Sequence, residues 1–324
     1  MKNTTTLLLL GVSLLQAQSL HFFKTASVYS KGICKLKVSP ENEIVCLGGT
    51  NEGKPTTYLF NTAGKTQVST TPERIYNISF GPDKAALLST PSGDYYTEDF
   101  KAFLKGKKSP TPLSGLRTSK DSALSSTEYA VGKGHLYAFT PSIQNADGNN
   151  TITRRGFTNP ESKKAVFPES KYGIMRALLF KASTEYLYAY FDHTILILDL
   201  NMNVVEKNKT TKAFPYRILR VFDGSNLMGI KGDTLKVLNF NLESQGSYAI
   251  KEIYEDLVVD GKGNVYVMKR NHEGCDIYKV VLHDGTLVET NPKTKRGRRR
   301  NNLNWYGNYH HNGAGWFHWP VYIY

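Results

Sequence analysis

The 324-residue chain carries 41 Lys and Arg against 28 Asp and Glu, a formal net charge of +13, with 40% hydrophobic residues, 12% aromatics and three cysteines. Twenty Tyr and fifteen Phe can fill a core, which excludes a disordered chain. Three cysteines over this length exclude a disulfide-dense miniprotein, and the length allows one large or two small domains.

In chain order, Lys2 precedes a short apolar run (Leu7 to Leu10, Val12, Leu14, Leu15) that ends on the small residues Ala17 and Ser19. A basic start, a short apolar stretch and a small-residue end describe a secretory signal peptide over residues 1–19, cleaved after Ala17 or Ser19. The run is far shorter than the roughly 20 residues that span a bilayer, so a signal anchor is the weaker reading. No later segment is apolar enough for a transmembrane helix, and the mature protein is expected to be secreted and extracellular. In that setting Asn77-Ile78-Ser79, Asn149-Asn150-Thr151 and Asn208-Lys209-Thr210 become glycan acceptors if the host is a eukaryote. Asn149 falls in a stretch, 145–150, that reads as an exposed loop; Asn77 sits in an apolar run and can instead face into a strand.

Residues 20–292 read as one domain, and from residue 30 onward it shows no long 3.6-residue apolar period. Short β-branched and aromatic runs recur instead, cut by Gly, Pro, Asn and Asp. The strongest runs start at Ile44, Ala86, Leu136, Leu187, Leu227 and Val265, spaced by 42, 50, 51, 40 and 38 residues, and the third unit is stretched by the loop at 145–150. Most have a second apolar run just before them. The last unit is the clearest: Leu257 to Val259, a glycine turn, Val265 to Met268, then Asp276 to Leu282, Asp284-Gly285 and Thr286 to Glu289, which makes four strands. Four strands repeated every 40–50 residues or so describe a β-propeller blade, and six units describe an all-β, six-bladed propeller with four-stranded blades. A pair of two-layer sandwiches is the competing arrangement.

The segment Asp260-Gly261-Lys262-Gly263-Asn264-Val265-Tyr266-Val267 resembles a blade of six-bladed propellers of the NHL, gluconolactonase and yellow-like kind. The resemblance is to an architecture, carried by weak repetition over about 260 residues, and no unit has the Trp-Asp ending of WD repeats. It implies a rigid ring with ligand loops on its faces. In gluconolactonase-like members it also implies a metal held by carboxylate and amide oxygens.

Cys34 and Cys46 flank Ser39-Pro40-Glu41-Asn42, and a hairpin centred on Pro40 places them opposite one another, in reach of a disulfide. Two buried thiols are the alternative. Cys275, beside the polar stretch 271–274, is left as a free or intermolecular thiol.

Residues 293–300, Lys-Thr-Lys-Arg-Gly-Arg-Arg-Arg, hold six cations and no acid. Behind a signal peptide this basic linker resembles a furin- or kexin-type processing site read at Arg296, Arg298, Arg299 and Arg300. Subtracting these six cations and Lys2 from +13 leaves +6 on the remainder, so the basicity points to a processing protease and an anionic glycan or cell surface rather than nucleic acid. Residues 301–324 contain all three Trp and no charged side chain apart from histidine. This aromatic segment reads as a released peptide, an attached binding tail, or a strip packed on the ring. Its His310, His311 and His318 do not match a closed zinc spacing.

Asp83, Asp192, Asp223 and Asp260 sit near blade turns and are the candidates for a metal at one mouth of the ring. Asp in turns also caps local amides, which is the commoner use. No Gly-x-Ser-x-Gly, His-Glu-x-x-His, phosphate loop or dinucleotide fingerprint is present, so no catalytic residue or cofactor is assigned. The expectation is a secreted propeller that binds an extracellular protein or carbohydrate, with a removable C-terminal peptide. A metal-dependent propeller hydrolase or lactonase is the alternative.

Overall fold

Runs of Val, Ile, Leu, Tyr and Phe broken by Asp, Asn and Gly turns fold as strands of 3 to 11 residues. The protein is described by a computed structural model over residues 19–30, 34–61, 66–81, 84–113, 129–132, 134–157, 161–209, 213–250 and 252–283. Of these, residues 22–281 belong to one compact unit. The expected signal segment up to residue 18, the linker 293–300 with Arg296, Arg298, Arg299 and Arg300, and the tail 301–324 lie outside the described residues.

Strand β1 (Ser19–Tyr29) comes first. Blade 1 follows as β2 (Lys35–Val38), β3 (Ile44–Asn51), β4 (Lys54–Phe60) and β5 (Thr66–Thr70). Blade 2 is β6 (Asn77–Phe80), β7 (Ala86–Ser89), β8 (Asp94–Thr97) and β9 (Thr111–Leu113), with helix α1 (Phe100–Leu104) between its last two strands. Blade 3 is β10 (Tyr129–Gly132), β11 (His135–Thr140), β12 (Asn149–Gly156) and β13 (Ser162–Pro168), and α2 (Glu169–Tyr172) leads out of it. Blade 4 is β14 (Met175–Lys181), β15 (Tyr186–Phe191), β16 (Thr194–Leu198) and β17 (Val204–Lys209). Blade 5 is β18 (Ile218–Val221), β19 (Asn226–Lys231), β20 (Thr234–Asn239) and β21 (Ser244–Ala249). The chain ends its sheets with β22 (Asp256–Val259), β23 (Val265–Arg270) and β24 (Gly274–His283).

Five sheets run in simple sequence order; the sixth has the order β1-β24-β23-β22. The molecule is therefore a six-bladed, all-β propeller whose sixth blade borrows its outer strand from the N-terminal end. This corrects the expectation that Thr286 to Glu289 supplies that strand: 286–289 lies outside the described residues, and β1 holds the position. A ring closed by strands from both ends ties the termini together, which a blade built from one continuous segment does not do.

The strongest sequence runs are the second strands of the blades. Burial explains why: in blade 4 the middle strands β15 and β16 are almost wholly buried and the outer β17 is mostly exposed. Neighbouring blades bury one another's faces. Tyr137, Ile152 and Phe167 of blade 3 pack with Leu178, Leu187 and Phe191 of blade 4, and Tyr190 and Ile197 of blade 4 pack with Leu227 and Leu238 of blade 5. Each such large side chain, fully removed from water, stabilises by about 1.5–3 kcal/mol.

The hairpins within blades are capped by their own side chains. Asp223 accepts from the amides of Ser225 and Asn226, both at 2.7 Å, and Asp260 accepts from Lys262 and Asn264, both at 2.8 Å. Asp199 does the same for Asn201 and Asn203. These turns lie at the ends of the blades where first strands finish. Asp223 and Asp260 are thus turn caps at the opposite end from Asp192, and the described candidates Asp192, Asp223 and Asp260 do not gather at one mouth. Asp83 lies outside the described residues.

Candidate functional site at the mouth of the ring

The innermost strands β2, β14, β18 and β22 begin at the same end of the ring, and the residues that open them surround a cavity of about 730 Å³. Its charged lining is Lys35, Arg176, Arg217, Arg220 and Arg270 against Glu255 and Asp256. Phe139, Phe214 and Tyr216 supply apolar wall. The five cations reach the mouth from four blades, with only Arg217 and Arg220 sharing one, so no basic run in the sequence announces them.

Their partners fix them. Asp256 is buried at 5% exposure, and it accepts from the amides of Leu36 and Leu257, both at 2.8 Å, and from Arg220 at 3.1 Å. One carboxylate thereby joins blades 6, 1 and 5. Asp192 takes Arg176 Nε at 2.6 Å and the amide of Ile174 at 3.2 Å, and its carbonyl accepts from the amide of Phe214 at 2.8 Å. Glu255 pairs with Arg270 at 3.1 Å. Arg217 differs from these, because its guanidinium donates to the carbonyl of Tyr254 and meets no carboxylate among the described residues. Tyr254 is buried, which pushes its hydroxyl up to about 12, and its ring stacks on Phe22. The mouth therefore offers an outward guanidinium held by a neutral group within an excess of positive charge, an arrangement suited to carboxylate, sulfate or phosphate groups.

The same arrangement is poorly suited to a hard cation, which takes six to eight oxygen ligands. Both lining carboxylates are engaged by arginines, and among the described residues no group of three or more His, Cys, Asp or Glu is placed to hold a metal.

The structure corrects the cysteine reading. Strand β2 pairs with β3 in the register Leu36↔Cys46 and Val38↔Ile44, so the hairpin centres on Glu41, not Pro40. Cys34 and Cys46 are then diagonal neighbours rather than opposite ones, about 7–8 Å apart between Cα atoms, beyond the separation a disulfide spans. Both are free thiols. Cys275 is not in an open loop: it is on β24, fully buried, and packs in one cluster with Cys34 and Cys46.

The sequons also separate. Asn77 is 1% exposed at the start of β6 and has no room for a glycan in the folded ring. Asn149 opens β12, directly after the exposed turn residues 146–148. Asn208 lies on the outer strand β17, half-buried beside a second cavity. The residue that sequence reading passed over is Asn150, wholly buried between blades 3 and 4. Its Oδ1 accepts from Ser142 and Met175 at 3.0 and 2.7 Å, and its Nδ2 donates to the carbonyls of Phe167 and Gly173 at 3.1 and 2.9 Å. Lys101 and Lys108 are surface side chains paired with Glu43 and Glu98 at 2.9 and 3.1 Å.

No family model matches the chain, and no curated protein matches it. Solved structures do. The calcium-binding protein regucalcin from Agrobacterium tumefaciens superposes with a TM-score of 0.55 at 10% identity, covering 81% of this chain and 95% of that one. A gluconolactonase from Xanthomonas campestris gives 0.53 at 8% identity, over 81% and 89%. A streptogramin B lyase gives 0.50 at 9% identity, over 83% and 99%. At these identities the likeness is one of fold, and the expected resemblance to the gluconolactonase kind of propeller holds at that level.

Proposed function

We propose that this chain is a secreted β-propeller binding protein that takes an acidic group of an extracellular protein or carbohydrate at the mouth of the ring. It is made as a precursor: residues 1–19 direct export and leave, and cleavage at Arg296 to Arg300 frees the aromatic segment 301–324. The observation that supports binding is the cavity itself, where five cations from four blades face two carboxylates. Rigid blades hold these groups in place, so little order has to be acquired on binding.

Heparin chromatography tests the site. In a full-length chain with the six cations of 293–300 changed to Gln, retention is expected to persist, and adding Arg217→Gln and Arg270→Gln is expected to bring elution to markedly lower salt. Loss of retention on neutralising 293–300 alone would show that the ring has no polyanion site of its own.

A metal-dependent hydrolase or lactonase is the second reading, favoured by the fold likeness to a solved gluconolactonase. Hydrolysis of a sugar lactone that a chelator abolishes would establish it in place of the first.

A further inference from the structure

The three cysteines of the chain meet where the ring closes. Cys34 precedes β2 of blade 1, Cys46 is on β3, and Cys275 is on β24 of blade 6, and all three are buried at 2% exposure or less. The three side chains pack in one cluster with Leu36, Tyr58 and Met268. The neighbouring Cys275 and Cys46 thiols hold the Cys34 thiol below the usual range, and the Cys46 and Cys275 thiols are pushed above it by their proximity to Cys34 and by burial. The end of β1 and the start of β24 are pressed together: the amide of Ser30 donates to the carbonyl of Glu273 at 2.9 Å, and a Cβ on Gly274 would lie 2.0 Å from the carbonyl oxygen of Val28. Cys34 also lines the cavity at the mouth, beside Lys35 and Arg270.

We propose that these thiols form a redox latch in which Cys34 and Cys275 join the first and last blades as a disulfide, with Cys46 left as a thiol. The oxidant is a low-molecular-weight disulfide bearing carboxylates, drawn to the basic mouth. The sulfur of Cys34 attacks one sulfur of that molecule, its S–S bond breaks, and the first thiolate departs. The sulfur of Cys275 then attacks the Cys34 sulfur and expels the second thiolate. The two cysteine protons end on the two released thiols, so the pair loses two electrons and the small disulfide gains them. Cys275 is the resolving partner because the diagonal placement of Cys46 keeps it beyond bonding geometry. The bond would close a loop of nearly the whole ring, the case in which a crosslink restrains the unfolded chain most.

The test uses the purified full-length chain, reduced, then exposed to oxidised glutathione, denatured, alkylated and digested without reductant. The expected result is a Cys34–Cys275 linked peptide, loss of alkylation at both positions, full alkylation of Cys46, and a melting temperature that rises on oxidation and returns on reduction. Cys46→Ala should give the same link, and Cys275→Ala should trap glutathione on Cys34. A Cys34–Cys46 link, or full alkylation after oxidation of all three cysteines in the parent and of both remaining cysteines in Cys46→Ala, would overturn the proposal. Because oxidant is supplied in vitro, this outcome does not depend on whether the chain is secreted.

Discussion

Asn150 shows how much one side chain can organise. All four of its hydrogen-bonding positions are used, two toward blade 3 and two toward the segment that opens blade 4. Removing a fully satisfied buried amide leaves its partners stranded, each costing about 1–3 kcal/mol in part offset by relaxation. Asn150→Ala is therefore expected to lower stability by about 3 kcal/mol in denaturant unfolding, and Asn149→Gln next to it by about 0.5 kcal/mol or less. Nothing in the local sequence separates the two asparagines; only the packing of α2 and β14 over one of them does. Asp276 carries a pH signature. Burial acts to raise its pKa, but hydrogen bonds from Lys24 at 2.8 Å, Ser27 at 2.7 Å and Asn271 at 2.9 Å hold it below the ordinary 3.8. A carboxyl lowered in the folded state contributes its stability above the unfolded value, and that contribution is lost as pH falls through the lowered one. Melting followed from pH 5 to pH 2, roughly, should fall less steeply for Asp276→Asn than for the parent. Equal slopes would remove Asp276 from the acid response.

At the scale of elements, closure by β1 is the feature that local patterns did not reveal. Strand runs, turn residues and their spacing identify the second strands of all six blades because each is buried on both faces and so reads as a near-continuous apolar run. The partner of β24 is set by a contact between the two ends of the chain, for which there is no local signal. The β2–β3 register was missed by two residues for a related reason: the loop Ser39 to Glu43 is closed by the amide of Ser39 on the carbonyl of Glu43, and Asn42 takes a positive φ of 66° whose fit depends on the neighbouring blade. The Asn42 side chain accepts from the amide of Gly261 at 2.5 Å, joining the turns of blades 1 and 6. Gly274→Ala tests the seam, since its new methyl meets the backbone of β1 with nowhere to go. A loss of about 3 kcal/mol is expected, with faster amide exchange in β1 than in β23. Unchanged protection of β1 would mean that the strand is not held as described.

For the whole molecule, charge is divided among three places. Part of the +13 lies in 293–300, outside the described ring, and part is spread as paired lysines on the surface. A third share converges on the mouth, where Arg176, Arg217, Arg220 and Arg270 come from three blades. The first share was plain in the sequence as a run. The mouth was not, because a ring assembles it from residues dozens of positions apart. Equally, turn aspartates that looked like candidate metal ligands became hairpin caps once their amide partners were known. The molecule proposed is a secreted ring with two removable ends, and intact mass spectrometry of the product collected from the medium of a eukaryotic secretory host tests it most directly. The account predicts a chain that starts after Ala17 or Ser19 and ends at Arg299 or Arg300, with glycan mass at Asn149 or Asn208 and none at Asn77. A chain running unmodified from Met1 to Tyr324 would contradict it.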